Sequence, residues 1–212
     1  MPRRGAGSGR ARDQAHALLA EFNAVDHAIY QAVAQVPTPE LDQAMRRLSR
    51  AANHSVLWLS VAAGMAAVGG RPGRRAAARG VSAVGVSSAV VNIGIKALYN
   101  RPRPDRGEAG LPVERQVPMP GSRSFPSGHS AAGFAFTMAA GREVPLLALP
   151  LGFLAGAVAY SRVHTGVHYP GDAVAGSIIG AAVGQAVAGL ASQVSQRGRA
   201  AGCGLVTRRA RR

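Results

Sequence analysis

The chain has 212 residues, 47% of them hydrophobic but only 5% aromatic, with 27 glycines and a formal net charge of +15. That length suits one domain with a substantial core, and an apolar content drawn mostly from Ala, Val, Leu and Gly suits helices packed through small residues in a membrane. No aromatic residues are interleaved with the basic clusters as stacking platforms, so the charge fits anionic lipid head groups and not nucleic acid; the single cysteine, Cys203, excludes an intrachain disulfide and a cysteine metal cluster.

In chain order, residues 1–12 are basic and glycine-containing and are expected to be disordered. Residues 13–36 and 39–52 carry two helical patterns split by Pro37-Thr38-Pro39. In the first, Leu18, Phe22, Val25, Ile29, Val33 and Val36 recur at three- and four-residue steps, the mark of one apolar face. Glu21, Asp26 and His27 make it a poor buried span, so 13–52 reads as an amphipathic helical region, interfacial or packed on the core.

Five uncharged stretches follow, at 51–70, 80–95, 124–141, 144–161 and 173–196. The first, fourth and fifth approach the length a bilayer core requires. The second reaches it if Arg79 and Lys96 snorkel at its ends, and the third holds a Pro-Ser-Gly turn that should start its helix near Gly128. Residues 53–192 therefore read as an all-α integral membrane helical bundle of about five or six spans, the sixth being 14–36 if that segment crosses. A soluble bundle stays open as an alternative, because Ala and Gly dilute the hydrophobicity and mean hydropathy is nearly neutral. A basic tail, 193–212, closes the chain, and the first useful apolar stretch begins too late for a signal-peptide core. Arg71, Arg74, Arg75 and Arg79, with the tail, place one side in the cytoplasm by the positive-inside rule. The 97–127 and 162–172 connections then fall together on the extracytoplasmic side of the cell membrane.

Those connections carry the chemistry. Lys96, the only lysine, and Arg103 are seven residues apart, which is one helix face if the helix persists that far; Arg101 falls off that face. Pro126-Ser127-Gly128-His129 reads as a turn opening a helix, whose free N–H groups and dipole suit an anion. Ser127 would donate a hydroxyl, Gly128 would let the backbone approach an oxyanion, and His129 would lie beside the bound group. Further on, Asp172 follows His168 by four residues. A carboxylate on one imidazole nitrogen fixes the tautomer and frees the other nitrogen to attack. Arg162 offers a bidentate contact to phosphate, and His164 reads as a packing residue. A zinc site from His164, His168 and Asp172 is disfavoured by Pro170, Gly171 and the missing fourth ligand. Three cations, two histidines and a carboxylate are the set a phosphate ester needs.

In this order the blocks resemble the type 2 phosphatidic acid phosphatase family. Its pattern is Lys, six residues, Arg-Pro; then Pro-Ser-Gly-His; then Ser-Arg, five residues, His, three residues, Asp. Lys96 to Pro104, Pro126 to His129 and Ser161 to Asp172 match at every defined position. The resemblance implies an all-α fold shared with acid phosphatases and vanadium haloperoxidases. It implies a membrane lipid phosphatase acting on phosphatidic acid-like or polyprenyl phosphates and pyrophosphates. His168 would attack phosphorus to give a phosphohistidine, Asp172 would orient it, and His129 would protonate the leaving alkoxide. Lys96, Arg103, Ser127, Gly128 and Arg162 would hold the phosphoryl oxygens, with no metal or cofactor. The chain is also similar to the phosphatase half of actinobacterial fusions with a lipid kinase. The rival readings are a vanadate-dependent haloperoxidase and a non-enzymatic membrane protein with a vestigial anion site.

Overall fold

A computed structural model describes residues 6–209. Its helices are α1 (Ala6–Gln35), α2 (Pro39–Ala51), α3 (Val56–Val68), α4 (Gly70–Ala89), α5 (Lys96–Leu98), α6 (Gly128–Gly141), α7 (Ala148–His164) and α8 (Pro170–Arg209). A π-helical segment, Val90–Ile95, joins α4 to α5, so Gly70–Leu98 is one continuous helix. The beginning of α1 falls inside the stretch expected to be disordered, and the basic tail continues α8 as far as Arg209. Residues 1–5 and 210–212 lie outside the described residues.

Pro37 stops α1, and Pro39 starts α2 at a position where a missing N–H costs nothing. Glu40 and Asp42 in the first turn of α2 and Arg50 in the last complement its dipole. The chain then kinks by 66° through Asn53–Ser55 into α3, with His54 and Ser55 in left-handed backbone. Gly70, at φ +58, makes the tight α3–α4 reversal. Arg71, Arg74, Arg75 and Arg79, expected in a loop, occupy the opening turns of α4 because that reversal consumes so few residues.

The centre of the bundle is α6. Of its 14 residues 10 are buried, against α4, α7 and α8 and the Trp58 side chain of α3. Gly176, Gly180 and Gly184, one turn apart on α8, lie against the carbonyls of Ser127, Ala131 and Ala135 on α6, and a Cβ at any of them would collide with that backbone. This is the close approach that small residues permit between membrane helices. Trp58 of α3 and Phe136 of α6 fill the adjoining layer, with ring centroids 5.3 Å apart.

Gly70–Leu98, Pro145–His164 and Pro170–Val194 are long and apolar enough to cross a bilayer, and the bent pair Pro39–Ala51 with Asn53–Val68 supplies a fourth such segment. Phe153, Leu149, Val174, Ile178 and Leu190 project outward from these helices as a lipid-facing belt. The fold is thus the expected all-helical integral membrane bundle. On α1 the apolar stripe of Leu18, Phe22, Val25 and Ile29 also faces outward. The helix packs instead through Asp26, Tyr30 and Ala34, which are buried. One end of the bundle holds Arg79 paired with Glu143 at 2.7 Å; the three sequence blocks meet at the other.

Candidate active site

The helix carrying Lys96 ends at Leu98, and Tyr99 is extended at φ −113 and ψ 120. Pro102 and Pro104 disfavour helix at the residues before them, so Lys96 and Arg103 do not share a helix face as the spacing suggested. The chain folds back and both side chains reach Ser122. Lys96 Nζ donates to its Oγ at 3.2 Å, and Arg103 Nε donates to its carbonyl at 2.8 Å. Arg103 Nη1 also donates to the Val167 carbonyl at 2.5 Å and stands 3.4 Å from His168 Nε2.

A guanidinium only donates, so His168 Nε2 carries the lone pair and Nδ1 the proton. Nδ1 faces Oδ2 of Asp172 and Oγ of Ser124, both at 3.5 Å. Asp172 is fully buried and held on both oxygens: Ser124 Oγ donates to Oδ2 at 2.5 Å, the Tyr169 amide donates to Oδ2 at 3.0 Å, and Arg101 Nη1 donates to Oδ1 at 2.8 Å. Burial disfavours the imidazolium and lowers His168 to about 4; the Asp172 hydrogen bond opposes this, and the cations of Arg103 and Arg162 add to it.

Lys96, Arg103, Ser122, Gly128, His129 and His168 line one cavity of about 200 Å³ with Asn92 and residues of the α2–α3 kink. His129 sits in the first turn of α6, with Nε2 3.1 Å from Asn53 Oδ1. Arg162 Nη1 donates to the same oxygen at 3.4 Å. The two donors fix the amide orientation and place the His129 proton on Nε2.

Ser127 and Arg162 stand behind the cavity wall. Ser127 is fully buried and caps α6, its Oγ accepting from the Ser130 amide at 3.4 Å and the Ser130 hydroxyl at 2.9 Å. Arg162 donates to the carbonyl and hydroxyl of Ser49 at 3.0 and 2.7 Å, while its buried Nε has no hydrogen-bond partner. His164 is apart from the cavity and pairs with Asp42 at 2.9 Å.

Sequence reasoning missed Ser124, Asn53 and Asp26 and set Arg101 aside. For Arg101 a signal existed: Pro102 and Pro104 force extended chain, in which residues two apart are not tied to one helix face. Nothing marks Asn53 or Ser124, which converge from distant segments.

A basic cavity with a buried, Asp-held imidazole therefore lies at one end of an apolar helical bundle. The family model described as the PAP2 superfamily matches residues 77–195. The chain is 34% identical over 154 residues to the decaprenylphosphoryl-5-phosphoribose phosphatase of Mycobacterium tuberculosis H37Rv, covering 73% of this chain and 82% of that one. It is 32% identical over 135 residues to the protein of that name from Mycolicibacterium smegmatis, covering 62% and 68%. Among solved structures, the PAP2 type phosphatidylglycerolphosphate phosphatase of Bacillus subtilis is similar in fold, with a TM-score of 0.64 at 23% identity over 82% of this chain and 88% of that one. Aquifex aeolicus LpxE gives 0.60 at 22% identity, over 76% and 92%. The chain belongs to the PAP2 superfamily and is a phosphoric ester hydrolase.

Proposed function

We propose that the protein removes a terminal phosphate from a polyprenyl-linked phosphate ester at the extracytoplasmic face of the cell membrane, through a phosphohistidine on His168. The observation that carries this reading is the lone pair of His168 Nε2 at the cavity, beside Arg103 Nη1 at 3.4 Å, with Nδ1 turned to a buried carboxylate. Nε2 attacks phosphorus as the ester P–O bond breaks, and His129, protonated as the negative charge of the phosphate enters the cavity, delivers a proton to the departing alkoxide. Lys96, Arg103 and the Gly128 amide neutralise the equatorial oxygens from the cavity wall, and Arg162 supplies its charge and its free Nε–H from behind. Water then attacks the phosphohistidine, giving up a proton to His129, and inorganic phosphate leaves. Asp172 keeps the reactive tautomer and stabilises the imidazolium as it forms.

The polyprenyl preference rests on the mycobacterial relatives, and phosphatidic acid-like lipids are the competing substrates. The orientation rests on the arginine-rich opening of α4 at the opposite end of the bundle. The test is phosphate release by detergent-purified protein from a polyprenyl-phosphoryl pentose 5-phosphate and from phosphatidic acid, with EDTA present and His168→Ala as control. Release that survives EDTA and vanishes in His168→Ala supports the mechanism; near-normal turnover by the variant would overturn it.

A further inference from the structure

We infer that Asp26 and Arg101 are positioning residues for the reaction: Asp26, on α1, holds Arg101 against Asp172, and the pair keeps that carboxylate turned towards His168. The inference rests on the proposed roles of His168 and Asp172.

The two oxygens of Asp172 are held unequally. Oδ2 receives Ser124, the Tyr169 amide and His168, whereas Arg101 Nη1 at 2.8 Å holds Oδ1. Without Arg101 a carboxylate can rotate about its Cβ–Cγ bond and draw Oδ2 away from the imidazole. Arg101 is itself fixed from two sides. Its Nη2 donates to Asp26 Oδ2 at 2.6 Å, and its guanidinium lies 4.4 Å above the Tyr169 ring.

Asp26 does a second thing. Its Oδ1 accepts from the amide of Gly171 at 2.6 Å, the residue immediately before Asp172. A Cβ at Gly171 would stand 2.9 Å from Asp26 Oδ2, so glycine permits the approach. One carboxylate therefore grips both the guanidinium and the backbone that carries Asp172. The rest of α1 reinforces the seat, with the His27 ring 4.4 Å from that of Tyr169. Residue 26 lies far outside the segment 77–195 that the family model covers, so this chain completes its site with an element supplied by the amphipathic region.

Charge gives the device a signature. Asp26 neutralises Arg101, which leaves the charge of Asp172 available to the imidazole. His168 is faced by Asp172 from α8, Arg103 from the 99–127 loop, Arg162 from α7 and His129 from α6. Arg101 and Asp26 reach it through Asp172. A carboxylate turned away from the ring no longer favours its charged form, so losing either Arg101 or Asp26 makes the imidazole less basic.

The experiment compares Arg101→Ala, Arg101→Lys and Asp26→Asn in the full chain, with wild type and His168→Ala alongside, reading kcat, KM and the acid limb of kcat/KM. Asp26→Asn keeps an oxygen for the Gly171 amide but sets an NH2 donor against Arg101, so it removes the charge and the grip on the guanidinium together. Arg101→Ala is expected to lower kcat on the order of 100-fold with KM little changed, and to move the acid limb down. Asp26→Asn is expected to lower kcat about ten-fold and to move the limb down, and Arg101→Lys to recover part of the loss. Downward limb shifts in both variants are something a purely structural role does not produce, and an upward shift in Arg101→Ala would overturn the inference by making Arg101 a nearby charge only. Unmoved limbs, or losses that follow the folded fraction alone, overturn the inference. If Arg101→Ala does not fold, the limb of Asp26→Asn decides. An active His168→Ala would instead defeat the proposed mechanism itself, so the two failures are distinct.

Discussion

Two clusters in this protein pair an aspartate with an arginine, a histidine and a hydroxyl, and only one of them brings its imidazole to a cavity. Around Asp42 stand Arg115 at 2.8 Å, His164 at 2.9 Å and the Thr38 hydroxyl at 2.8 Å. Around Asp172 stand Arg101 at 2.8 Å, His168 at 3.5 Å and the Ser124 hydroxyl at 2.5 Å. In the first cluster Asp42 borders a cavity with Arg46, Arg47 and Arg50, but its histidine is closed off from it. Arg115 directs its amino groups to the carbonyls of Val33, Ala34 and Val36, and the second nitrogen of His164 meets Tyr160 Oη at 3.4 Å. The second is open, since Nε2 of His168 faces the cavity and the cation of Arg103. An Asp–His–Arg constellation is therefore not a site in itself. What distinguishes a site is an imidazole nitrogen that lines a cavity where a substrate can reach it.

The sharpest way to break that comparison is to delete each histidine. His168→Ala should lower turnover by 1,000-fold or more, on the order found when a nucleophile is removed, while the protein still purifies as a folded bundle. His164→Ala should leave kcat within a few-fold of wild type, because its nitrogens are committed to Asp42 and Tyr160. Phosphate release under saturating substrate decides both. Comparable losses in the two variants would mean that the closed cluster also takes part in chemistry.

Deleting each arginine's partner role sharpens the contrast next. Arg115 is buried and ties the 99–127 loop to the α1–α2 elbow, so Arg115→Ala strands Asp42 and three backbone carbonyls. Breaking a buried pair costs about 3–5 kcal/mol, and the melting temperature in detergent should fall accordingly. The specific activity of the folded fraction should hold. An unchanged melting temperature with reduced kcat would exchange the roles of the two clusters.

The same contrast explains what was legible in the sequence. Lys96, Arg103, Gly128, His129 and His168 meet around one cavity, because each block sits at the end of an apolar helix and all those ends lie on one side of the bundle. Membrane helices of small residues were readable from composition, since Gly176, Gly180 and Gly184 recur once per turn. Ser127 and Arg162 are placed behind the wall instead of on it, a distinction of a few ångströms that spacing does not encode. His164 and His168 look alike in sequence and are separated only by what their free nitrogens meet. Arg115 carried no signal, because its partners, Asp42, Thr38 and backbone carbonyls near the end of α1, all lie in a distant segment. The outward apolar face of α1 was visible as a stripe, but its buried face is Asp26 and Tyr30, and polar contacts of that kind leave no periodic trace.

The smallest expected effect concerns pH and tests whether the open cluster is as dry as its geometry requires. Free histidine titrates near 6.5, and His168 is lowered to about 4, chiefly by burial. A lowered value means that the neutral, nucleophilic imidazole persists as pH falls, so kcat/KM, which reports the free enzyme, should stay level through mildly acid conditions. It should then drop about ten-fold per unit below pH 4 as Nε2 takes a proton. Bound phosphate adds negative charge beside the ring and favours the imidazolium, so the limb in kcat should lie above that in kcat/KM. A kcat/KM limb near 6.5 would instead place His168 in contact with bulk water, and the closed–open contrast between the two clusters would lose its physical basis.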